Sequence, residues 1–231
     1  MNGTPVPATA AFFDVDETLV TCKSMLSFLD HYYRLMGRPD TAAPGEIAAL
    51  ADITARGGTR EESNRSYYRL FTGHRTEEVA EAGRSWFADR MEAGGMFHPP
   101  VLDALVFHRD AGHLTALVSG SFSACLDPIA DHLGADLVLG TVPEVVRGRY
   151  TGDVICSRIG AGKAEAAAGV LREGLFSAAE AYAYGDHASD LSLLQQVGHP
   201  VVVGDDPVLL EQTRTAFWAR LPGINAPFNR I

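Results

Sequence analysis

Residues Ala10 to Val15 form a short apolar run that ends among acids at Asp14 and Asp16. The pattern predicts a buried strand with the acids at its C-terminal end. From Ser24 to about Ala93 the texture is helical, with no convincing strand. Met25, Phe28, Leu29, Tyr32 and Leu35 fall on one stripe at helical spacing. GEIAALADITARGG and REESNRSYYRLFTG each end in glycine, a helix stop, and TEEVAEAGRSWFADRMEAGG makes a further helix. After His98-Pro99-Pro100, strands and helices alternate. VLDALVFHRDAG predicts a helix, LTALVSG a strand, FSACLDPIADHLG a helix broken or kinked near Pro128, and ADLVLG a strand. TVPEVVRGRYTGDV predicts a β-hairpin turning at Arg147-Gly148. GKAEAAAGVLREG then reads as helix, AYAYGD as strand, ASDLSLLQQVG as helix and PVVVGD as strand. A closing helix is expected from Asp206 to Ala219, with Asp205 or Asp206 near its N-cap.

Strand–helix alternation with short apolar strands implies a parallel sheet covered on both faces, an α/β fold of Rossmann-like type. The helical block interrupts this pattern after the first strand and is expected to be an inserted cap. The expected division is a core of residues 1–22 and 95–231 and a helical cap of residues 23–94. At 231 residues and 46% hydrophobic, the chain can bury a core of that size. Its net charge of −10 disfavours nucleic acid and anionic membranes as partners. No apolar run approaches the roughly 20 residues of a membrane span, and the start of the chain lacks a basic region followed by an apolar stretch. A soluble cytoplasmic protein is expected. Cys22, Cys125 and Cys156 form no C-x-x-C pair, which fits free thiols in a reducing compartment and gives no zinc-ligand spacing.

Ligands of open parallel sheets bind beyond the carboxyl ends of the strands. Four segments deliver polar groups to that edge: Asp14 and Asp16 after the first strand, Ser119-Gly120-Ser121 after the second, Lys163 opening a helix, and Asp186 with Asp190 after AYAY. Residues i and i+2 of an extended chain point the same way, so Asp14 and Asp16 can reach one locus. Asp186 and Asp190 are spaced to share one face of a helix start. Crowded carboxylates repel, and a divalent cation relieves that cost; all-oxygen ligation suits Mg2+. Backbone N–H groups around Gly120 and the Ser119 hydroxyl can hold an anion, and Lys163 supplies a fixed positive charge for a phosphoryl group. Taken singly, each feature has an ordinary explanation as a turn, a cap or a solvated helix face. Together, in this order and each at a strand end, they point to one site.

The ordered set resembles the haloacid dehalogenase (HAD) superfamily. DVDET at Asp14–Thr18, LVSGS through Ser119, Lys163 in GAGKAEA and YGDHASDLSLL through Asp186 and Asp190 match its four motifs, across nearly the whole chain. The helical insert and the stretches GTVPEVVRGRYTGDV and SDLSLLQQVGHPVVVGDDP resemble its phosphoserine-phosphatase-like branch, subfamily IB. The resemblance implies that Asp14 is a nucleophile forming an aspartyl-phosphate and that Asp16 is the general acid and then the base. It implies a metal set of Asp14, Asp16, Asp186 and Asp190. Asp16 would contribute its backbone carbonyl, and Asp190 would anchor the outer ligands or Lys163. Ser119, Gly120 and Lys163 would clamp the phosphoryl oxygens, and Thr18 would steady the loop after the nucleophile.

One position departs from that branch. Phosphoserine phosphatases carry a glutamate nine residues after the nucleophile, paired with the substrate ammonium; here Lys23 occupies it. Lys23 either repels an amine and favours a carboxylate, a second phosphate or a polyol, or it is a solvated lysine at the base of the cap. The cap also holds Arg56, Arg60, Arg65, Tyr67, Tyr68, Arg69 and His74, among which periodicity does not select the substrate-facing ones. The expected activity is Mg2+-dependent hydrolysis of a small phosphorylated metabolite. A phosphomutase or phosphotransferase using the same Asp14 is the alternative. A receiver module is disfavoured by length and by the insert, and a carbon–halogen hydrolase by the presence of Asp16.

Overall fold

The computed structural model describes residues 9–226. The outer ends of the expected core, residues 1–8 and 227–231, lie outside them. Strand β1 (Ala10–Phe13) is followed by helices α1 (Ser24–Leu35), α2 (Ala42–Ala55), α3 (Arg60–Arg69), α4 (Thr76–Ala93) and α5 (Pro99–Asp110). Then come β2 (Leu114–Ser119), α6 (Ser123–Leu133), β3 (Leu137–Gly140), the pair β4 (Val142–Val146) and β5 (Arg149–Cys156), and α7 (Ala161–Glu173). The chain closes with β6 (Tyr182–Gly185), α8 (Leu191–Leu194), β7 (His199–Val203), α9 (Pro207–Thr215) and β8 (Ala219–Leu221). No described helix is long and apolar enough to cross a membrane.

Six strands form one sheet in the order β3-β2-β1-β6-β7-β8, every pairing parallel. The two-residue period of a strand divides β1 between the two faces. Ala11 and Phe13 pack into a cluster with Val101 and Leu105 of α5 and Leu126 and Ile129 of α6. Ala10 and Phe12 pack into a second cluster with Ala167 and Leu171 of α7 and Leu209 of α9. The first cluster continues without a break into the helical insert through Phe28, Tyr67, Phe71 and Trp86, which meet Phe122 and Cys125. The insert therefore shares its apolar core with the sheet domain. Its two connections to β1 and α5 run side by side: Thr21 N–H donates to Met96 O (2.9 Å) and His98 N–H to Leu19 O (2.9 Å). The hairpin β4–β5 turns at Arg147 and Gly148, both at positive φ as a tight hairpin turn requires. Its strand β5 also pairs with the chain between α3 and α4 through Tyr150, Gly73 and His74.

Several expectations need correction. The first strand ends at Phe13 rather than Val15: Glu17 at φ 62° turns the chain, and the N–H groups of Leu19 and Val20 both return to Val15 O. Leu35 is 58% exposed, because α1 ends there and its stripe meets no neighbour beyond Tyr32 and Tyr33. Of the two outcomes expected, a break or a kink, the break does not occur, and α6 runs on through Pro128. Its missing N–H leaves Ala124 O without the usual i+4 donor, and that carbonyl faces Gly83 of α4 so closely that a Cβ on Gly83 would sit 1.8 Å from it. ASDLSLLQQVG gives only a 3-10 turn (Ala188–Asp190) and the single-turn α8. The closing helix stops at Thr215, and Phe217 at φ 56° turns the chain back into β8, an edge strand not anticipated. Asp206 does cap α9, accepting from the N–H groups of Val208 and Leu209.

Candidate active site

Strands β1 and β6 are neighbours and diverge into loops at the same edge, with Phe13 opposite Tyr184. Asp14 follows one tip and Asp186 the other, while Ser119 ends β2 on the far side of β1. The order of the sheet places this point where successive connections leave to opposite sides, the usual location of a ligand crevice. Asp14 is still held in register, its N–H donating to Tyr184 O at 2.9 Å.

Lys163, on the first turn of α7, bridges two of the acids. Its Nζ bonds Asp14 Oδ1 and lies 2.6 Å from Asp190 Oδ1. Thr18 Oγ1 lies 2.9 Å from Asp14 Oδ2 and 3.0 Å from Asp186 Oδ1, so one hydroxyl proton serves two carboxylates. Asp14, Thr18, Lys163 and Asp190 are all buried. Oxygens of Asp14, Asp186 and Asp190 lie within 4.8 Å of one another. Three carboxylates against one ammonium leave a formal charge of −2. That deficit, the all-oxygen donor set and its spacing fit a divalent cation such as Mg2+. Burial raises the Asp14 pKa well above the usual carboxylate range, Lys163 pulls it back, and Asp190 and Asp186 add to the rise. Burial, then Asp190, pushes Asp186 up to about 6. For Lys163 burial opposes the charge, but Asp14 and Asp190 outweigh it and hold the ammonium protonated.

Asp16 stands apart from this acid cluster. Its Oδ1 accepts the N–H of Ser24 at 2.8 Å, at the start of α1. Burial nevertheless raises its pKa, against the opposing hydrogen bond from Ser24. A carboxyl group of this kind keeps its proton to higher pH and can donate it. Ser119 and Gly120 also line the cavity, but Ser119 is the last residue of β2 and Gly120 the bend after it, so neither opens a helix, since α6 begins at Ser123. Ser121 N–H donates into Ser119 Oγ (3.0 Å), which leaves the Ser119 proton free to be given away. A Cβ on Gly120 would lie 2.3 Å from Ile159 Cδ1, so glycine permits the close approach there. Asp190 reaches the cluster from the 3-10 turn rather than from a shared helix face with Asp186, and its Oδ2 also accepts the His187 N–H at 3.2 Å.

These groups form the floor of a cavity of about 530 Å3, roofed by α1, α2 and α3. Lys23 lies on its rim and pairs with Glu17 at 3.5 Å. Among the cationic and aromatic residues of the insert, Arg60 and Tyr67 line the cavity. Arg56 and Arg65 instead pair along their own helices with Asp52 and Glu61, and His74 bonds the Tyr32 hydroxyl at 2.7 Å. Asn64, not singled out by the sequence, lines the cavity and donates from Nδ2 to Gly120 O at 2.9 Å, beside the Tyr68 hydroxyl at 2.9 Å. His187 also lines it, with Nε2 3.0 Å from Arg60 Nη1. Only the folded arrangement brings Asn64 to the site, whereas His187 sits inside the YGDHASDLSLL motif, directly after Asp186.

Comparison with known proteins places the chain in a family. The chain is 28% identical over 239 residues to the inhibition of morphological differentiation protein of Streptomyces azureus, covering 96% of this chain and 85% of that one. It is 30% identical over 232 residues to the phosphoserine phosphatase SerB1 of Mycobacterium tuberculosis, covering 93% and 71%. A crystal structure of a protein of unknown function from Bordetella pertussis superposes with a TM-score of 0.83 at 25% identity, over 93% of this chain and 98% of that one. The sequence model of the haloacid dehalogenase-like hydrolases matches residues 11–195, well over half of the chain. This protein therefore belongs to the haloacid dehalogenase-like hydrolases.

Proposed function

We propose that the protein is a Mg2+-dependent phosphatase that hydrolyses a small phosphomonoester through an aspartyl-phosphate on Asp14. The observation that carries this reading is the placement of the Asp14 carboxylate. It is buried on the floor of a cavity, held by Lys163 and Thr18, with Asp186 and Asp190 beside it and the raised-pKa Asp16 nearby. The phosphatase name of a relative 30% identical to the chain supports it. The three free cysteines fit a reducing compartment.

Asp14 would attack phosphorus with the oxygen opposite the leaving group. Asp14, Asp186 and the Asp16 backbone carbonyl are the groups assigned to hold Mg2+, with Asp190 fixing Lys163 behind them. When bound, the cation supplies the positive charge that lets Asp14 ionise and offsets charge on the phosphoryl oxygens. Lys163, the Ser119 hydroxyl and the Gly120 N–H receive those oxygens. Asp16 gives its proton to the departing alkoxide and takes one from the water that next attacks the phosphoryl group, restoring Asp14. Residues 23–94 act as a cap that excludes bulk water from the aspartyl-phosphate.

Phosphate release from a panel of small phosphomonoesters tests this, with Mg2+ and after complete chelation. The expected result is turnover that needs the metal and disappears in Asp14→Asn. Turnover that persists under chelation contradicts the metal assignment, and an active Asp14→Asn contradicts the nucleophile.

A further inference from the structure

We infer that the alcohol released from this site is largely apolar and carries no ammonium group. The inference rests on the phosphatase reading and concerns the part of the cavity away from the acid cluster. There the wall is built from Met25 and Leu26 of α1, Ile47, Leu50 and Ala51 of α2, and Ile159.

The polar residues of the same wall are turned toward protein partners. Ser63 Oγ donates to Leu50 O at 3.0 Å and Thr54 Oγ1 to Ala51 O at 2.8 Å. The Tyr67 hydroxyl donates to Met25 O at 2.8 Å. Asn64 and Tyr68 together occupy the Gly120 carbonyl, each at 2.9 Å, and Asn64 Oδ1, though unpartnered, is sealed from solvent. Apart from the cations Arg60 and Lys23, the roof thus offers hydrocarbon and hydroxyls whose protons are already given to the protein.

Carboxylates are engaged as well. Among the described residues, those lining the cavity are Asp14, Asp16, Asp186, Asp190 and Glu17. The first four contact Lys163, Thr18 or the Ser24 N–H, and Glu17 faces Lys23. An ammonium on the leaving group would lose its water, gain no carboxylate of its own, and share the cavity with Lys23 and Arg60. A cavity of about 530 Å3 lies in the range of about 300–1,000 Å3 typical of small-molecule sites. Each methylene buried against the roof is worth about fourfold in affinity.

The test uses the full chain with Mg2+ and compares kcat/KM for n-butyl phosphate, n-hexyl phosphate, O-phosphoethanolamine and O-phosphoserine. Hexyl phosphate is expected to exceed butyl phosphate and to exceed both amine-bearing esters by about tenfold or more. Equal or better use of phosphoserine or phosphoethanolamine overturns the inference and leaves the phosphatase reading standing. No release from any ester overturns both. Ile47, half-buried on α2, gives an independent check. Ile47→Ser should lose about tenfold on hexyl phosphate and stay within about twofold on O-phosphoserine. Equal losses on the two esters would mean a general structural effect and would count against the apolar contact.

Discussion

Asp14 and Asp16 carry the same side chain two positions apart, and the fold gives them different surroundings. Asp14 meets an ammonium and a hydroxyl, while Asp16 meets the backbone N–H that opens α1. On the proposed reading the first attacks and the second moves protons. Asp14→Asn should reduce phosphate release to background. Asp16→Asn should lower kcat by about 10²–10⁴-fold with the thermal midpoint little changed. Asp186 allows a test without turnover. Burial and Asp190 raise its pKa from 3.8 to about 6. A carboxyl shifted up on folding adds stability that is complete below the unfolded pKa and is lost as pH rises through the folded one. At about pH 7.5 ionised Asp186 therefore opposes folding, and a divalent cation offsets that cost. Thermal unfolding should show Mg2+ raising the midpoint by several degrees at about pH 7.5 and by far less at about pH 5, where the proton competes. Asp186→Asn should lose the response at the higher pH.

At the scale of elements, the crossing of α4 and α6 joins the helical insert to the sheet domain. Pro128 withholds a donor from Ala124 O, and Gly83 lets α4 approach that carbonyl. In an unconstrained helix Gly→Ala stabilises by about 1 kcal/mol. Here the new methyl meets backbone, so Gly83→Ala should instead destabilise by about 1–3 kcal/mol, measured by urea unfolding. A gain in stability would show that the two helices can separate without cost. The same crossing shows what the chain makes legible. The parallel strands, the hairpin turn at Arg147-Gly148 and the acid-bearing tips were readable, because short apolar runs and turn residues are local signals. Pro128 left a break and a kink both open, and the contact of Ala124 O with Gly83 could not be read because the two lie in different helices. β8 was hidden because Phe217 and Trp218 extend the apolar spacing of α9 and the turn at Phe217 has no residue that announces it. Leu35 followed the stripe of α1 but has nothing to pack on. Asn64 was unreadable as a site residue because its partner, Gly120, is 56 positions away.

The described residues build one six-stranded sheet with two apolar faces, beside the β4–β5 hairpin, and the insert extends one of those faces over the tips of β1, β2 and β6. Opposite demands meet in that arrangement: charge gathers at the edge, while a histidine beneath the sheet is kept neutral. His108 of α5 is fully buried against the sheet, with Nε2 2.9 Å from the Tyr184 hydroxyl and Nδ1 2.8 Å from His113 Nδ1. Burial, with His113 adding to it, pushes its pKa down to about 4. A histidine shifted down on folding adds stability that is present above the unfolded pKa of 6.5 and is lost as pH falls through the folded value. Urea unfolding should therefore weaken between about pH 6.5 and pH 4, by at most on the order of 3 kcal/mol, and His108→Gln should flatten that slope. Four distant segments must converge at one point for Asp14 to act as a nucleophile. The most direct measurement is rapid acid quench of the enzyme turning over a phosphomonoester with Mg2+, followed by peptide mass mapping. A phosphoryl group on the peptide carrying Asp14, absent in Asp14→Asn, is the predicted result. Active turnover with no phosphoryl group on that peptide at any quench time, or with one on another residue, would contradict it.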